Sequence, residues 1–145
     1  MTLMPPAEYL DDPVRLLALC VWRESRSEPP EAKLGVAWTV RNRCAMAPRE
    51  GFRYSIVDNI LKPWAFSSFN ANDPNARLYP GPMDRSWKES LAAAESNEPD
   101  PTDGSIFYFS PPLTAPPSVW GPVEHAATIG RLRFYRPCDP LPRAA

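Results

Sequence analysis

Residues 13–46 carry two apolar segments with a proline corner, Ser27-Glu28-Pro29-Pro30, between them. That pattern restricts the fold more than any other stretch. Asp12-Pro13 is a helix start, with Asp as N-cap and Pro at the first helical position, and predicts a helix to about residues 23–25. A second helix is predicted from about residue 30 to residue 46, and its centre, Leu34-Gly35-Val36-Ala37-Trp38-Thr39-Val40, is apolar on almost every side. Such a segment belongs in the middle of a domain.

Along the first helix Val14, Leu17, Val21 and Glu24 follow at spacings of three, four and three, which places Glu24 at the end of the apolar stripe. A carboxyl at the edge of a packed core resists ionisation and keeps a proton to donate, so Glu24 is a candidate general acid. The same spacing also describes a solvated residue in the last turn of a helix, its stem lying over apolar neighbours.

Further along, Ser55-Ile56-Val57-Asp58 reads as a capping box opening a short helix to residue 61. Residues 62–83 mix aromatics with Asn and Pro and predict a long irregular segment, the kind that is more often functional than idle. Asp84 or Ser86 caps a helix over residues 87–96. Residues 106–109 predict a buried strand, residues 127–130 a turn, and residues 131–136 a half-exposed strand able to pair with the first. The fold class is therefore α+β and predominantly helical, with a small sheet or hairpin. The chain reads as one domain over residues 1–145, with a loose Pro-rich tail from about residue 137.

A chain of 145 residues buries about two-thirds of its unfolded surface and needs no metal or disulfide staple. Pro is frequent, 20 residues, but with 43% hydrophobic content the chain is not a low-complexity one. The formal net charge of -1 provides no field that would gather nucleic acid or an anionic membrane. The arginines, Arg41 and Arg43 among them, read as solvated or structural. Cys20, Cys44 and Cys138 are too far apart for a metal site or redox pair, and His125 is the only histidine, read as a surface residue of the last loop. No metal and no cofactor is expected; a zinc amidase is disfavoured and a cysteine peptidase is not suggested. The N-terminus has no basic region ahead of an apolar run, so no signal peptide and no membrane span are expected.

Four segments resemble the cell-wall hydrolase family named after the spore-cortex-lytic enzyme SleB. Trp22-Arg23-Glu24-Ser25-Arg26-Ser27-Glu28-Pro29 is similar to its Gly-Glu-Ala-Arg-Gly-Glu-Pro, and Val36-Ala37-Trp38-Thr39-Val40-Arg41-Asn42-Arg43 to its apolar helix ending Asn-Arg. Lys62-Pro63-Trp64-Ala65-Phe66-Ser67 resembles its Gln-Phe-Ser segment, with Ala65 where the family often has Gln. Asp100-Pro101-Thr102-Asp103-Gly104-Ser105-Ile106-Phe107-Tyr108 and Ala127-Thr128-Ile129-Gly130-Arg131-Leu132-Arg133-Phe134-Tyr135 resemble the third and fourth. All four stand in the right order.

The resemblance implies a lysozyme-like domain that cuts peptidoglycan glycan strands, with Glu24 as its catalytic acid. Glu28, Trp64, Phe66, Ser67, Asn70, Tyr108 and Trp120 are candidate substrate-binding residues, because sugars are held by aromatic faces beside fixed polar groups. Core packing explains Trp64, Tyr108 and Trp120 equally well and Phe66 better, and Glu28 is consistent with a supporting role at the corner. No other acid is marked by its spacing as a partner for Glu24. A one-carboxyl site fits a lytic transglycosylase, which forms a 1,6-anhydro product, better than a hydrolytic muramidase. The alternative is a non-catalytic, wall-binding phage component. A monomer is expected; a phage or prophage endolysin, held in the cytoplasm until released to the wall, would suit these features.

Overall fold

The computed structural model describes residues 1–139; the last part of the Pro-rich tail lies outside them. Five α-helices precede a three-stranded sheet: α1 (Ala7–Leu10), α2 (Pro13–Ser25), α3 (Pro30–Met46), α4 (Ile56–Leu61), α5 (Arg85–Glu95), β1 (Phe107–Phe109), β2 (Val123–Ile129) and β3 (Leu132–Pro137). The predominantly helical α+β class is as expected. Side-chain caps set the starts of α2, α4 and α5. Asp12 accepts from the amides of Val14 and Arg15, Ser55 from Asp58, and Asp84, not Ser86, from Trp87.

Helix α2 packs against α1, α3, α4 and α5 and is the spine of the molecule. Leu16 to Arg23 are all buried, so α2 is surrounded along its middle and carries more than a one-sided stripe. Val14 is an exception: near the helix start it is 37% exposed, and the apolar stripe leading to Glu24 begins at Leu17. Helix α3 is buried over most of its surface too, with Leu34 and Trp38 half-buried.

Two strands were expected and three are present, in the order β1-β3-β2 with both pairings antiparallel. Residues 127–129, predicted as a turn, are the end of β2. The turn is confined to Gly130 and Arg131, and His125 lies on the strand instead of a loop.

Gly35 sits where α3 crosses β3. A Cβ there would stand 2.7 Å from Phe134 Cζ and 3.0 Å from Thr102 Cγ2. Alanine would gain about 1 kcal/mol of helix propensity, but overpacking a filled core costs about 1–3 kcal/mol. Gly35→Ala is therefore expected to lower stability by about 1 kcal/mol, read as a lower denaturant midpoint at unchanged slope.

The irregular segment of residues 62–83 contains two short 3-10 turns, Ser67–Phe69 and Pro74–Arg77. It is pinned to α2 by Arg23, whose buried guanidinium donates to the carbonyls of Ala76 and Leu78 at 3.1 Å and lies over the rings of Phe69 and Tyr79. An otherwise irregular segment is thereby held at fixed geometry beside Glu24.

Candidate active site

Helix α2 ends at a cleft of about 360 Å³, and Glu24, in its last turn, lines it. The carboxyl is half-buried, not solvated. From β1 the Tyr108 hydroxyl donates to Glu24 Oε1. From α3 the buried Arg43 reaches the same cleft, and Ser68 faces the carboxyl from the irregular segment. The Ser68 hydroxyl is buried and makes no hydrogen bond of good geometry.

Loss of water around Glu24 pushes its pKa up, and this influence is the largest on it. The donor Tyr108, the nearby Ser68 hydroxyl and the positive charge of Arg43 pull the other way, while Asp73 adds to the rise. Burial likewise raises the Tyr108 phenol well above its usual range, with the nearby carboxyl adding to it, so the phenol stays protonated and donates. The arrangement can hold a proton at Glu24, deliver it, and keep the resulting carboxylate hydrogen-bonded.

An acid that must be protonated loses activity as pH rises through its pKa, so the raised pKa extends the active range toward neutrality. Tyr108→Phe removes a donor that favours the carboxylate. The expected result is a high-pH limb moved to higher pH and a turnover about tenfold lower, read from pH–rate profiles.

Of the candidate residues, Glu24, Trp64, Phe66, Ser67, Tyr108 and Trp120 all line this cleft. Trp120 stacks on Phe107, ring centroids 4.6 Å apart and nearly parallel. Trp64 is 68% exposed and holds a left-handed backbone, φ 66°, uncommon for a bulky residue and of the kind concentrated at functional sites. Phe66 presents an edge of the core and also packs on Arg43.

Glu28 and Asn70 do not line the cleft. Glu28 is a staple: buried at the α2–α3 corner, it accepts from the Arg131 backbone at 2.7 Å and its Nε at 3.0 Å. A side chain at Gly130, φ 58°, would collide with Glu28 and Pro29, so the turn between β2 and β3 closes tightly onto the corner. The contacts of Glu28 are those of a residue supporting the corner. Asn70 is buried in the irregular segment, where its amide donates to Ser67 and an isolated bridge joins it to Thr2.

Arg43, Glu50, Phe52, Asn59, Lys62 and Phe107 also line the cleft. Arg43 and Phe107 had a signal, since both lie in motif segments beside named residues. Glu50 and Phe52 had none: they come from a loop that the fold carries there, tied by Asn59 to the backbone of Arg53 and Ser55. His125 is exposed on β2 with contacts to Thr128 and Tyr135. The described residues contain no cluster of His, Cys, Asp and Glu able to hold a metal ion.

A family model described as Cell Wall Hydrolase matches residues 27–135. The chain belongs to that family. The match begins at Ser27 and so does not include Glu24. The spore cortex-lytic enzyme of Bacillus subtilis (strain 168) is 29% identical over 116 residues, 80% of this chain and 35% of that protein. The spore cortex-lytic enzyme of Halalkalibacterium halodurans is 28% identical over 115 residues, 79% of this chain and 32% of that protein. The chain thus spans about a third of the length of these curated relatives. The crystal structure of the catalytic domain of Bacillus cereus SleB superimposes with a TM-score of 0.64 at 29% identity, covering 89% of this chain and 93% of that one. The catalytic domain of the germination-specific lytic transglycosylase SleB from Bacillus anthracis gives a TM-score of 0.64 at 27% identity, covering 90% and 98%. The lysozyme-like fold expected from the motifs is the fold of these cell wall hydrolases.

Proposed function

We propose that this chain cleaves the glycan strands of peptidoglycan as a lytic transglycosylase, at the β-1,4 linkage between N-acetylmuramic acid and N-acetylglucosamine. The observation that carries the reading is the single shielded carboxyl of Glu24, held by Tyr108 at the floor of a cleft lined by Trp64 and Trp120. Glu24 protonates the glycosidic oxygen, and the sugar passes through an oxocarbenium-like state. The carboxylate then takes the proton of the muramic acid's C6 hydroxyl as that oxygen closes on C1. One carboxyl acts in both steps, and no fixed water is required. The likeness to a structure described as a lytic transglycosylase supports the same chemistry.

Hydrolysis is the second reading, and one observation favours it: Glu50 lines the same cleft and would be the second carboxylate of an ordinary glycosidase. Against it, Glu50 is exposed in a loop. Digestion of purified sacculi by wild type and Glu50→Gln separates the two. Transglycosylation predicts release of soluble muropeptides by both at rates within about threefold. Hydrolysis through Glu50 predicts a loss of about 10²-fold or more in the variant. A wild type that binds sacculi and releases nothing would favour the non-catalytic reading instead.

A further inference from the structure

Arg43 is a buried cation with no anion bound to it. Only 7% exposed, it donates from Nε to the Ile106 carbonyl at 2.7 Å, and its guanidinium lies 4.8–5.3 Å from the centres of the Phe66, Phe52 and Phe107 rings. Among the described residues it forms no salt bridge, and its terminal nitrogens make no hydrogen bond, although Arg43 lines the cleft with Glu24. Aromatic faces compensate part of the desolvation of a guanidinium but not all of it. A cation left in this state, lining the same cleft as an acid whose charged form burial disfavours, has its electrostatic use once that acid has given up its proton.

We propose that Arg43 is the standing counter-ion of the Glu24 carboxylate, a positioning residue that receives the negative charge created when the proton moves to the glycosidic oxygen. The inference rests on the transglycosylase reading. In the first step the proton leaves Glu24, the C1–O4 bond breaks with its electron pair going to O4, and the carboxylate faces Arg43. In the second step the C6 oxygen bonds to C1 and its proton returns to Glu24. No other reactant is consumed, and Arg43 keeps its charge throughout. A fixed cation at this place lowers the barrier to making the carboxylate without needing to move, which is the advantage of a preorganised site.

The groups facing Glu24 are Tyr108 from β1, Arg43 from α3, Ser68 and Asp73 from the irregular segment, and the Cys20 thiol one turn back on α2. Arg43 is the only cation among them.

The test uses Arg43→Gln and Arg43→Lys in the full chain, with two readouts. One is the carbon-13 NMR titration of the Glu24 carboxyl, assigned by its absence in Glu24→Gln. The other is the pH–rate profile on soluble glycan oligomers. Arg43→Gln should move the Glu24 titration and the high-pH limb together to higher pH and lower kcat about tenfold or more at nearly constant KM. Arg43→Lys, charged but shorter and better hydrated, should fall between wild type and Gln. If the Gln variant does not fold, the Lys variant carries the test through the same two shifts.

A raised KM with both midpoints unmoved would overturn the proposal in favour of direct substrate binding. Lowered thermal stability with unchanged kinetics and titration would overturn it in favour of a packing role. An inactive wild type whose Glu24 titration still responds to Arg43 would sink the transglycosylase reading and leave the electrostatic coupling standing.

Discussion

Glu24→Gln is expected to abolish release of muropeptides from purified sacculi, by about 10³-fold or more, while the protein folds as well as wild type. General acid catalysis contributes about 10²–10⁴-fold, and here one group is acid in the first step and base in the second, so the variant loses both. Glutamine keeps the shape, and its carbonyl can still accept from Tyr108, so the cleft is preserved. Stability provides an independent sign. A carboxyl whose folded pKa is raised binds more protons in the folded than in the unfolded chain at pH values between the two pKa values. Stability therefore falls as pH rises through that window, and glutamine has no such loss. Thermal melts should show Glu24→Gln equal to wild type in acid and at least as stable at neutral pH. A dead variant that also melts early would not implicate the proton.

The largest loss of stability is expected from Glu89→Ala. Lys33 on α3 is wholly buried, and its ammonium is surrounded by Glu89 at 3.2 Å, the Arg26 carbonyl at 3.3 Å and the Glu28 carbonyl. Those carbonyls form the corner directly after Glu24, so the contact links the acid's helix to α3 and α5. Removing Glu89 leaves a buried ammonium without its anion, which costs about 3 kcal/mol and lowers Tm by roughly 10 °C for a chain of this size. Adding Lys33→Met should recover part of that loss, because the uncompensated charge is gone, the Arg26 carbonyl keeps the Ser86 hydroxyl as a donor and the Glu28 carbonyl alone loses its partner. Calorimetry of the two single variants and the double variant reads the coupling directly. Equal and additive losses would mean that the pair is not acting as a pair.

Three helix starts were legible because they are written in side-chain chemistry: Asp12 with Pro13, Ser55, and Asp84 accept the amides that a helix leaves free, whereas α1, which has no side-chain cap, was not expected. Strand β2 was not legible. The register shifts between His125 and Ala127, and that bulge breaks the alternation by which a strand is recognised, so the end of the strand read as a turn. Glu24 was visible through the spacing of Leu17 and Val21, even though Val14 proved exposed. Arg43 was passed over, since a guanidinium boxed by Phe52, Phe66 and Phe107 has the same letter as one in water, and the three rings come from distant segments. The place of Glu28 outside the cleft was not legible for the converse reason: its partner, Arg131, is 103 residues away. Local sequence carries caps and periodicity, whereas the partners of a buried charge are set by the tertiary fold.

Mass spectrometry of the muropeptides that the wild-type chain releases from purified peptidoglycan tests the central claim most directly. If Glu24 gives a proton to the linkage and takes one back from the C6 hydroxyl, the new muramic acid ends are 1,6-anhydro rings, lighter by one water than reducing ends, and Glu24→Gln produces none. Products carrying only reducing, hydrated ends, or the same products from Glu24→Gln, would contradict it.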